Sequence, residues 1–361
     1  MAYTTISNHK SQFAVNQHTG NATDNTAITG VGHQPSMIWS KNLTDNGTNH
    51  YLIDSVRGVT KEMNPNTADA EGTDATLIKS FDSDGYTLGA GSMNQSGKSH
   101  INYLWKGGAT SGITTNGTSM ITPSYYNINQ TNGFSIIKFA GTGVDNSYIP
   151  HGLGKKPKMI WLKSVTKSSE GWQVYAEGAG NQGRGWLDYG ATWSTSNGAW
   201  GSFTPDTVNF RISNDSHMNA SGYDYIAYCF ADITGYQKIL RWDTNGQANP
   251  DTPFLHCGFA PKFLLVWNID NGGRGAIKDA YSNPFNNGNP YSSSQNGYVI
   301  KPDNSDALNQ TGDYNCDFTS TGLKIRAGGT SNINHTDGNT YVALAIGQSL
   351  VGADNTPACA I

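Results

Sequence analysis

The stretch Ile28-Thr-Gly-Val-Gly-His-Gln-Pro-Ser-Met-Ile-Trp-Ser-Lys-Asn42 decides the fold, because its pattern occurs three times in the chain. Each copy runs through glycine and proline into a short apolar run that contains a tryptophan. The other copies are Ile149-Pro-His-Gly-Leu-Gly-Lys-Lys-Pro-Lys-Met-Ile-Trp-Leu-Lys163 and Phe254-Leu-His-Cys-Gly-Phe-Ala-Pro-Lys-Phe-Leu-Leu-Val-Trp-Asn268. A long pattern that occurs three times indicates three structural units.

A proline lies just before the apolar run in every copy, where a residue without an N–H begins a strand without removing a ladder hydrogen bond. The runs are too short for helices and carry aromatic anchors, so we predict that they are central β-strands. The residues that we assign to this structural repeat are Pro35, Trp39, Pro157, Trp161, Pro261 and Trp267.

A second pattern, a polar turn followed by a buried strand, closes each unit. It begins as Met93-Asn-Gln-Ser-Gly97, Met218-Asn-Ala-Ser-Gly222 and Ile333-Asn-His-Thr-Asp-Gly338. Because both patterns recur in the same order, we predict an all-β chain of three tandem modules. The predicted ranges are residues 1–108, a linker at 109–132 with one edge strand near 124–126, residues 133–234, and residues 235–361 with an extended C-terminal tail.

Composition agrees with this fold and excludes several classes of function. The chain has 43 glycines and four glutamates among 361 residues, which favours short strands and polar turns over helices. The net charge of −4, with scattered Lys and Arg, predicts no nucleic-acid partner. We expect neither a signal peptide nor membrane insertion, because no long apolar run is present. Four widely separated cysteines predict reduced, partly buried thiols.

Several stretches resemble a repeat family of marine tailed phages. They include Gly32-His-Gln-Pro-Ser-Met-Ile-Trp39, Tyr51-Leu-Ile-Asp-Ser-Val-Arg-Gly-Val-Thr-Lys61, Ser80-Phe-Asp-Ser-Asp-Gly-Tyr-Thr-Leu-Gly89 and Leu350-Val-Gly-Ala-Asp-Asn-Thr-Pro-Ala358. Proteins of that family are described as tail fibres or virion structural proteins, and their modules resemble jelly-roll, concanavalin-like β-sandwiches. The resemblance therefore implies that the three tandem modules are β-sandwiches. The third unit departs from the pattern, with Asp279-Ala-Tyr281 where the first has Asp54-Ser-Val56.

No motif in the sequence predicts catalysis, a cofactor or a metal. Glycosidases need two carboxylates at a defined separation, and the nearest candidates are Glu170, Glu177 and Asp188, which lack a matching pattern. His33, His151 and His256 recur beside the first pattern without the spacing of zinc ligands. We therefore predict that this is not an enzyme.

A tryptophan-rich stretch of the second unit is the candidate binding region. Its residues are Trp172, Trp186, Tyr189, Trp193 and Trp200, among Gly, Asn, Ser and Thr. Flat aromatic faces with polar neighbours suit a sugar ring, and the same mixture occurs in protein-binding surfaces. Packing between modules or subunits is the alternative, since large aromatics also anchor such contacts.

The sequence favours a non-enzymatic structural protein of a phage virion, made in the host cytoplasm. We expect an external appendage of the tail-fibre or spike type, with other virion proteins and a host-surface glycan or protein as candidate partners. A homo-oligomer is expected, with a trimer favoured. The alternatives are a capsid-decorating or knob protein of the head, and a lectin-like glycan-binding module or glycan hydrolase.

Overall fold

The computed structural model describes residues 4–180, 183–194, 198–201, 204–247, 251–272, 275–282, 297–311, 314–326, 333–335 and 338–352. Almost all regular structure in these ranges is β-strand, so the all-β prediction is confirmed. Helices are limited to α1, Ser216–Asn219, and to the 3-10 turns His9–Ser11, Ser92–Asn94 and Glu177–Ala179. The predicted tail beyond Gly352 lies outside the described residues.

The strands follow one another along the chain in three groups. The first group is β1 (Phe13–Thr19), β2 (Thr26–Thr29), β3 (Pro35–Asn42), β4 (Tyr51–Asp54), β5 (Lys61–Glu62), β6 (Gly72–Thr73), β7 (Ile78–Asp82), β8 (Gly85–Leu88) and β9 (Ser99–Lys106). The second is β10 (Tyr125–Asn129), β11 (Phe134–Ala140), β12 (Ser147–Pro150), β13 (Met159–Ser164), β14 (Gln173–Ala176), β15 (Gly185–Trp186), β16 (Asn209–Ile212) and β17 (Asp224–Phe230). The third is β18 (Gln237–Asp243), β19 (Phe254–His256), β20 (Ala260–Asn268), β21 (Ala276–Asp279), β22 (Gly297–Val299), β23 (Asn309–Thr311), β24 (Cys316–Phe318), β25 (Gly322–Ile325) and β26 (Thr340–Gln348).

Three antiparallel sheets share one strand order. Sheet A is β1-β9-β3-β4, and sheet C is β18-β26-β20-β21. Sheet B contains the same order as β11-β17-β13-β14, with β10 added at one edge and β15 at the other. In each sheet the last strand of the group, β9, β17 or β26, lies between an early strand (β1, β11 or β18) and the strand that carries the apolar run of the repeated pattern (β3, β13 or β20). Strand β10 lies inside the range predicted as a linker, near its predicted edge strand.

Each large sheet packs one face against a small sheet of its own group. The small sheets are β2-β8-β7, β12-β16 and β19-β25-β24. Apolar side chains between each pair form a separate core, which contains Ile38 and Tyr86 in the first pair, Ile160 and Phe210 in the second, and Leu264 in the third. The three sheet pairs match the three predicted sandwiches. Their independence as tandem modules stays a prediction.

The opposite faces of sheets A, B and C meet in a fourth core that the sequence did not predict. Met37 and Trp39 of β3 point into this shared core, while Ile38 between them points into the core of its own sheet pair. Successive side chains on a strand face opposite sides of the sheet, so a strand with both faces covered has no exposed side. This explains why every residue of β3 is buried, including polar ones such as Ser40 and Lys41.

Three of the cysteines, Cys229, Cys257 and Cys316, are buried free thiols. Burial raises the pKa of each, which keeps the thiols protonated and unreactive. The fourth, Cys359, lies outside the described residues.

Candidate functional site

Aromatic rings fill the centre of the shared core. The ring centroid of Trp161 lies 5.7 Å from that of Trp39 and 4.5 Å from that of Phe230. The Trp105 ring lies 6.3 Å from Trp161 and 5.8 Å from Phe263, so it links all three sheets. Edge-to-face packing at such distances adds favourable energy to the burial of apolar area. The shared core therefore joins the three sheet pairs into one body.

Register identifies the equivalent residues of the three sheets. Met37 lies opposite Asp54, Met159 opposite Ala176, and Phe263 opposite Asp279. Counting from these pairs, the residues equivalent to Trp39 are Trp161 and Leu265. The third predicted tryptophan of the repeat, Trp267, therefore lies two residues further along its strand. Asp54 and Asp279 are equivalent, so the first and third units do correspond at this point.

The three junctions between sheets follow one cyclic order, in which sheet A precedes B, B precedes C, and C precedes A. In the first relation, a tyrosine of one sheet donates a hydrogen bond to an aspartate of the preceding sheet. Tyr228 donates to Oδ2 of Asp54 over 2.7 Å, and Tyr103 donates to Oδ2 of Asp279 over 2.9 Å. At the third junction the equivalent positions are held by Leu344 and Ala176, and the polar pair is replaced by apolar residues.

A second relation involves the residue four positions after Met37, Met159 or Phe263. Nζ of Lys41 donates to the carbonyl of Ser305 over 3.1 Å, and Nζ of Lys163 to that of Ala68 over 3.4 Å. Burial lowers the pKa of both lysines to about 8. The equivalent residue of sheet C is Trp267, whose ring lies 6.0 Å from that of Trp193. In each case a side chain of one sheet contacts a loop of the preceding group.

A third relation involves the residue four positions before Asp54, Ala176 and Asp279. His50 bonds to the carbonyl of Lys301 over 3.1 Å, and Nε1 of Trp172 donates to the carbonyl of Asn64 over 3.0 Å. The equivalent residue of sheet C is Gly275. A Cβ there would lie 2.8 Å from Nε1 of Trp267, so the indole of Trp267 occupies the space that a side chain at Gly275 would need.

The junction residues were not predicted, although one signal for them is present in the sequence. Asp54 and Asp279 each follow an apolar strand and precede a turn, and each caps that turn through backbone N–H groups. The tyrosines that reach them, Tyr103 and Tyr228, lie on the strand of the closing pattern. Pairing a tyrosine with an aspartate of a different unit requires the arrangement of the sheets, which local patterns do not contain.

The structure divides the five predicted binding residues into two sets. Trp172, Trp193 and Trp200 are buried. The first two belong to the shared core and the junctions, and Trp200 packs on Tyr175 in the core of the second sheet pair. Trp186 is half-buried and Tyr189 is exposed, with ring centroids 6.4 Å apart. These two residues form the accessible part of the predicted region.

Charged side chains surround this pair and extend it into a surface. The guanidinium of Arg184 lies 6.0 Å from the Trp186 ring centroid and pairs with Asp215 over 3.0 Å. Asp215 caps α1 by accepting a bond from the His217 backbone N–H. We call this set the aromatic surface; its members are Tyr189, Trp186, Arg184, Asp215, His217, Glu170, Lys167 and Tyr223.

At the far end of the aromatic surface, Glu170 contacts both Lys167 and His217. Nζ of Lys167 also lies 5.5 Å from the ring centroid of the exposed Tyr223. Aromatic rings thus lie at both ends. Of the charged side chains between them, Asp215 and Lys167 are each 28 % exposed, whereas Arg184 and Glu170 are buried. Such a surface offers stacking planes and hydrogen-bonding groups to a polar ligand.

The carboxylates considered for glycosidase chemistry have structural partners. Burial acts to raise the pKa of Glu177, but Lys156 and Lys158 outweigh it and hold the pKa below its ordinary value. Asp188 accepts a bond from the Trp172 backbone N–H over 2.9 Å, and burial raises its pKa to about 6. Both geometries are those of ion pairing and turn capping.

Two of the three histidines of the repeated pattern, His33 and His151, lie in loops and bond to backbone carbonyls. Nδ1 of His33 bonds to the carbonyl of Lys10 over 2.6 Å, and Nε2 of His151 to that of Asp206 over 3.1 Å. Burial lowers the pKa of His151 to about 4, so its ring is neutral at physiological pH. His256 is exposed on β19. Within the described ranges, no three His, Cys, Asp or Glu side chains are grouped to hold a metal ion.

The fold and junctions define an all-β protein in which three sheet pairs are packed around a shared aromatic core. The chain belongs to the family described as Domain of unknown function (DUF7483), whose model matches residues 8–349. The match therefore covers all three sheet pairs. The comparison with curated proteins finds no match, and the comparison with solved structures finds none either. No helix in the described part of the chain is both long enough and apolar enough to cross a membrane.

Proposed function

We propose that the protein is a non-enzymatic structural component of a tailed-phage virion, an external appendage of the tail-fibre or spike type. The observation that carries the proposal is the shared aromatic core with its cyclic junctions. Three sheet pairs bury one face each against the others, and buried hydrogen bonds fix their register. A rigid body of this kind suits a load-bearing or spacing role. The sequence resemblance to marine phage repeat proteins supplies the virion setting.

The charge distribution supports an architectural role in salt water. The chain has few charged residues for its length, 14 % in all, and several of its polar contacts are buried between sheets. Exposed ion pairs contribute little when salt screens them, whereas buried contacts are screened much less. A body held by apolar area and buried hydrogen bonds keeps its stability at the ionic strength of seawater.

An image reconstruction of purified particles of the encoding phage tests this proposal. We expect density for the three sheet pairs outside the particle, at the tail. Density at the capsid surface would favour the head-decorating or knob alternative, and absence of the chain from purified particles would contradict a virion role. The same map counts copies at each position, which tests the predicted homo-oligomer and its favoured trimer.

Glycan binding at the aromatic surface is a second candidate function. The observation that favours it is the accessible pair of the half-buried Trp186 and the exposed Tyr189, with Asp215 and the buried Arg184 beside it. The exposed ring of Tyr189 and the half-buried indole of Trp186 can stack on the apolar side of a pyranose, while the partly exposed carboxylate of Asp215 accepts hydrogen bonds from its hydroxyls. A host-surface polysaccharide is the proposed ligand class.

Substitution of the two accessible aromatics is expected to weaken that binding without unfolding the protein. Trp186→Ala and Tyr189→Ala should each weaken binding to host polysaccharide on a glycan array by about tenfold, because each removes a stacking plane worth roughly 0.5–1.5 kcal/mol beyond the apolar area that it buries. Tyr125→Ala is the matched control, since Tyr125 and Tyr189 are both 64 % exposed. Equal loss in the control, or no binding by the unaltered chain, would exclude this function. Release of reducing ends would instead indicate a hydrolase.

A further inference from the structure

The outer edge of β1 differs from the equivalent edges of the other two sheets. Two backbone hydrogen bonds at the ends of β1, from Lys106 N–H to the Gln12 carbonyl and from Gly20 N–H to the Lys98 carbonyl, show which residues of β1 are hydrogen-bonded to β9. The even-numbered residues are, so the backbone N–H and C=O groups of Val15, Gln17 and Thr19 point away from β9. Among the described residues, nothing accepts a hydrogen bond from these three N–H groups, and β1 is the end strand of sheet A.

The equivalent edges of sheets B and C are covered. Register makes Phe134 of β11 the counterpart of Phe13, because each lies opposite the same position of the closing strand. On sheet B the outward edge of β11 pairs with β10 along the whole of β10. On sheet C, the N–H of Gln237 bonds to the Ile233 carbonyl over 3.0 Å and that of Ile239 to Oδ1 of Asp232 over 2.8 Å. At two of the three equivalent edges, the chain itself therefore covers the outward N–H groups, with a strand on sheet B and a turn on sheet C.

A cavity of about 270 Å³ lies along the uncovered edge of β1. Val15 and Gln17 line it from the strand, Val31 from the loop before β3, and Tyr281 from the turn after β21. The side-chain oxygen of Asn16, which also lines the cavity, is buried and accepts no hydrogen bond from the described part of the chain. Val15 belongs to the shared core and Val31 to the core of the first sheet pair, so residues from both faces of sheet A line this space, which we call the slot.

Positive charge marks one end of the slot. Lys10 lines the cavity, and Lys262 lies near it. Burial lowers the pKa of Lys262, and the positive charge of Lys10 lowers it further. Neither lysine forms an ion pair with a carboxylate in the ranges that the structure describes. An unpaired sheet edge is a ready template for an added strand, and two adjacent lysines without partners favour acidic residues in that strand.

We propose that the outer edge of β1 is the docking site for an extended, acidic segment of another protein, which adds as an antiparallel strand in the way that β10 adds to β11. The register of β10 defines the orientation. Asn129 lies opposite Phe134, the counterpart of Phe13, so the C-terminal end of the added strand runs toward Lys10. The acidic residues of the partner therefore follow its paired segment.

Hydrogen exchange on the intact, isolated chain is the first test. The backbone amides of Val15, Gln17 and Thr19 should exchange at least about a hundredfold faster than those of Ala14, Asn16 and His18, which are bonded to β9. Slow exchange at the outward amides would mean that the chain already covers its own edge, and the proposal would be wrong.

Peptide binding is the second test. One probe is a synthetic peptide of residues 124–132, which contains β10, and the other is the same peptide with two glutamates added at its C-terminus. We expect saturable binding of both, about threefold or more tighter for the acidic peptide at low salt, with the difference lost at high salt. Lys10→Glu should reverse the preference. Failure of both peptides to bind at millimolar concentration would contradict the proposal.

Gln17→Pro and Gln17→Ala form the matched pair for this site. Both variants lose the hydrogen bond from the side-chain Nε2 of Gln17 to Oγ of Ser99. Only the proline variant also lacks the outward backbone N–H. Proline should weaken peptide binding by about tenfold relative to alanine, since one backbone hydrogen bond is lost. Equal binding by the two variants would show that the peptide does not pair with β1. Near-equal melting temperatures would establish that both variants fold.

Discussion

Asp54→Ala is expected to destabilise the protein by roughly 3–5 kcal/mol, because it leaves a buried guanidinium without its closest partner. The Arg57 side chain is fully buried, and its Nε lies 2.6 Å from Oδ2 of Asp54. The carboxylate of Glu71, 3.5 Å from Nη1, is the remaining acid beside it. The same substitution removes the acceptor of the Tyr228 hydroxyl at the junction of sheets A and B. Urea unfolding followed by tryptophan fluorescence measures the effect.

Asp279→Ala is a matched control that the repeated architecture provides. Asp279 accepts two turn N–H groups, the Ser282 hydroxyl and the Tyr103 hydroxyl. Asp54 accepts the same set, with Nε of Arg57 in place of the serine hydroxyl. The control therefore loses four hydrogen bonds without stranding a charge. We expect it to cost about 2 kcal/mol less than Asp54→Ala.

The double variant Asp54→Ala with Arg57→Met separates charge from shape. It removes both ions and retains an apolar side chain of similar length, so it should recover much of the stability lost by Asp54→Ala alone. If the single variants at Asp54 and Asp279 were equally destabilised and the double variant gave no recovery, the buried charge would not be the cause. The junction would then depend on hydrogen bonding and packing alone.

The sequence predicted the strands more reliably than their assembly. The apolar runs containing Trp39 and Trp161 are recognisable because a strand covered on both faces has no polar alternation. Proline marks where two of these strands begin. Strand β3 starts at Pro35, and β20 starts at Ala260, one residue before Pro261. These features are local, and local chemistry determines them.

The shared core and the division of the tryptophans could not be predicted in the same way. Trp172 and Trp186 each directly follow a glycine, with a glutamine nearby, yet one is buried at a junction and the other is half-exposed. Which face of a strand meets another sheet depends on residues far away in the chain, such as Asn64, which accepts the Trp172 indole N–H. Leu265 illustrates the same limit, since only register shows that it replaces the expected tryptophan.

Trp161→Ala is expected to loosen all three sheet pairs together, at a cost of about 3–5 kcal/mol. Its indole is fully buried between Trp39 and Phe230, and Trp105 connects it to Phe263 of sheet C. Removing it leaves a cavity where the sheets meet. Hydrogen exchange measured by mass spectrometry should therefore accelerate in β3 and β20 as well as in β13.

Trp200→Ala provides the comparison within one sheet pair. Trp200 is equally a buried tryptophan, but its ring packs on Tyr175, 5.7 Å away, in the core of the second sheet pair. Its loss should accelerate exchange in β12, β13 and β16 and leave β3 and β20 largely protected. If Trp161→Ala were confined to the second pair in the same way, the three sandwiches would be independent modules with a passive contact. Because the shared core includes residues of every large sheet, we expect the cooperative result, in which stability belongs to the assembled body.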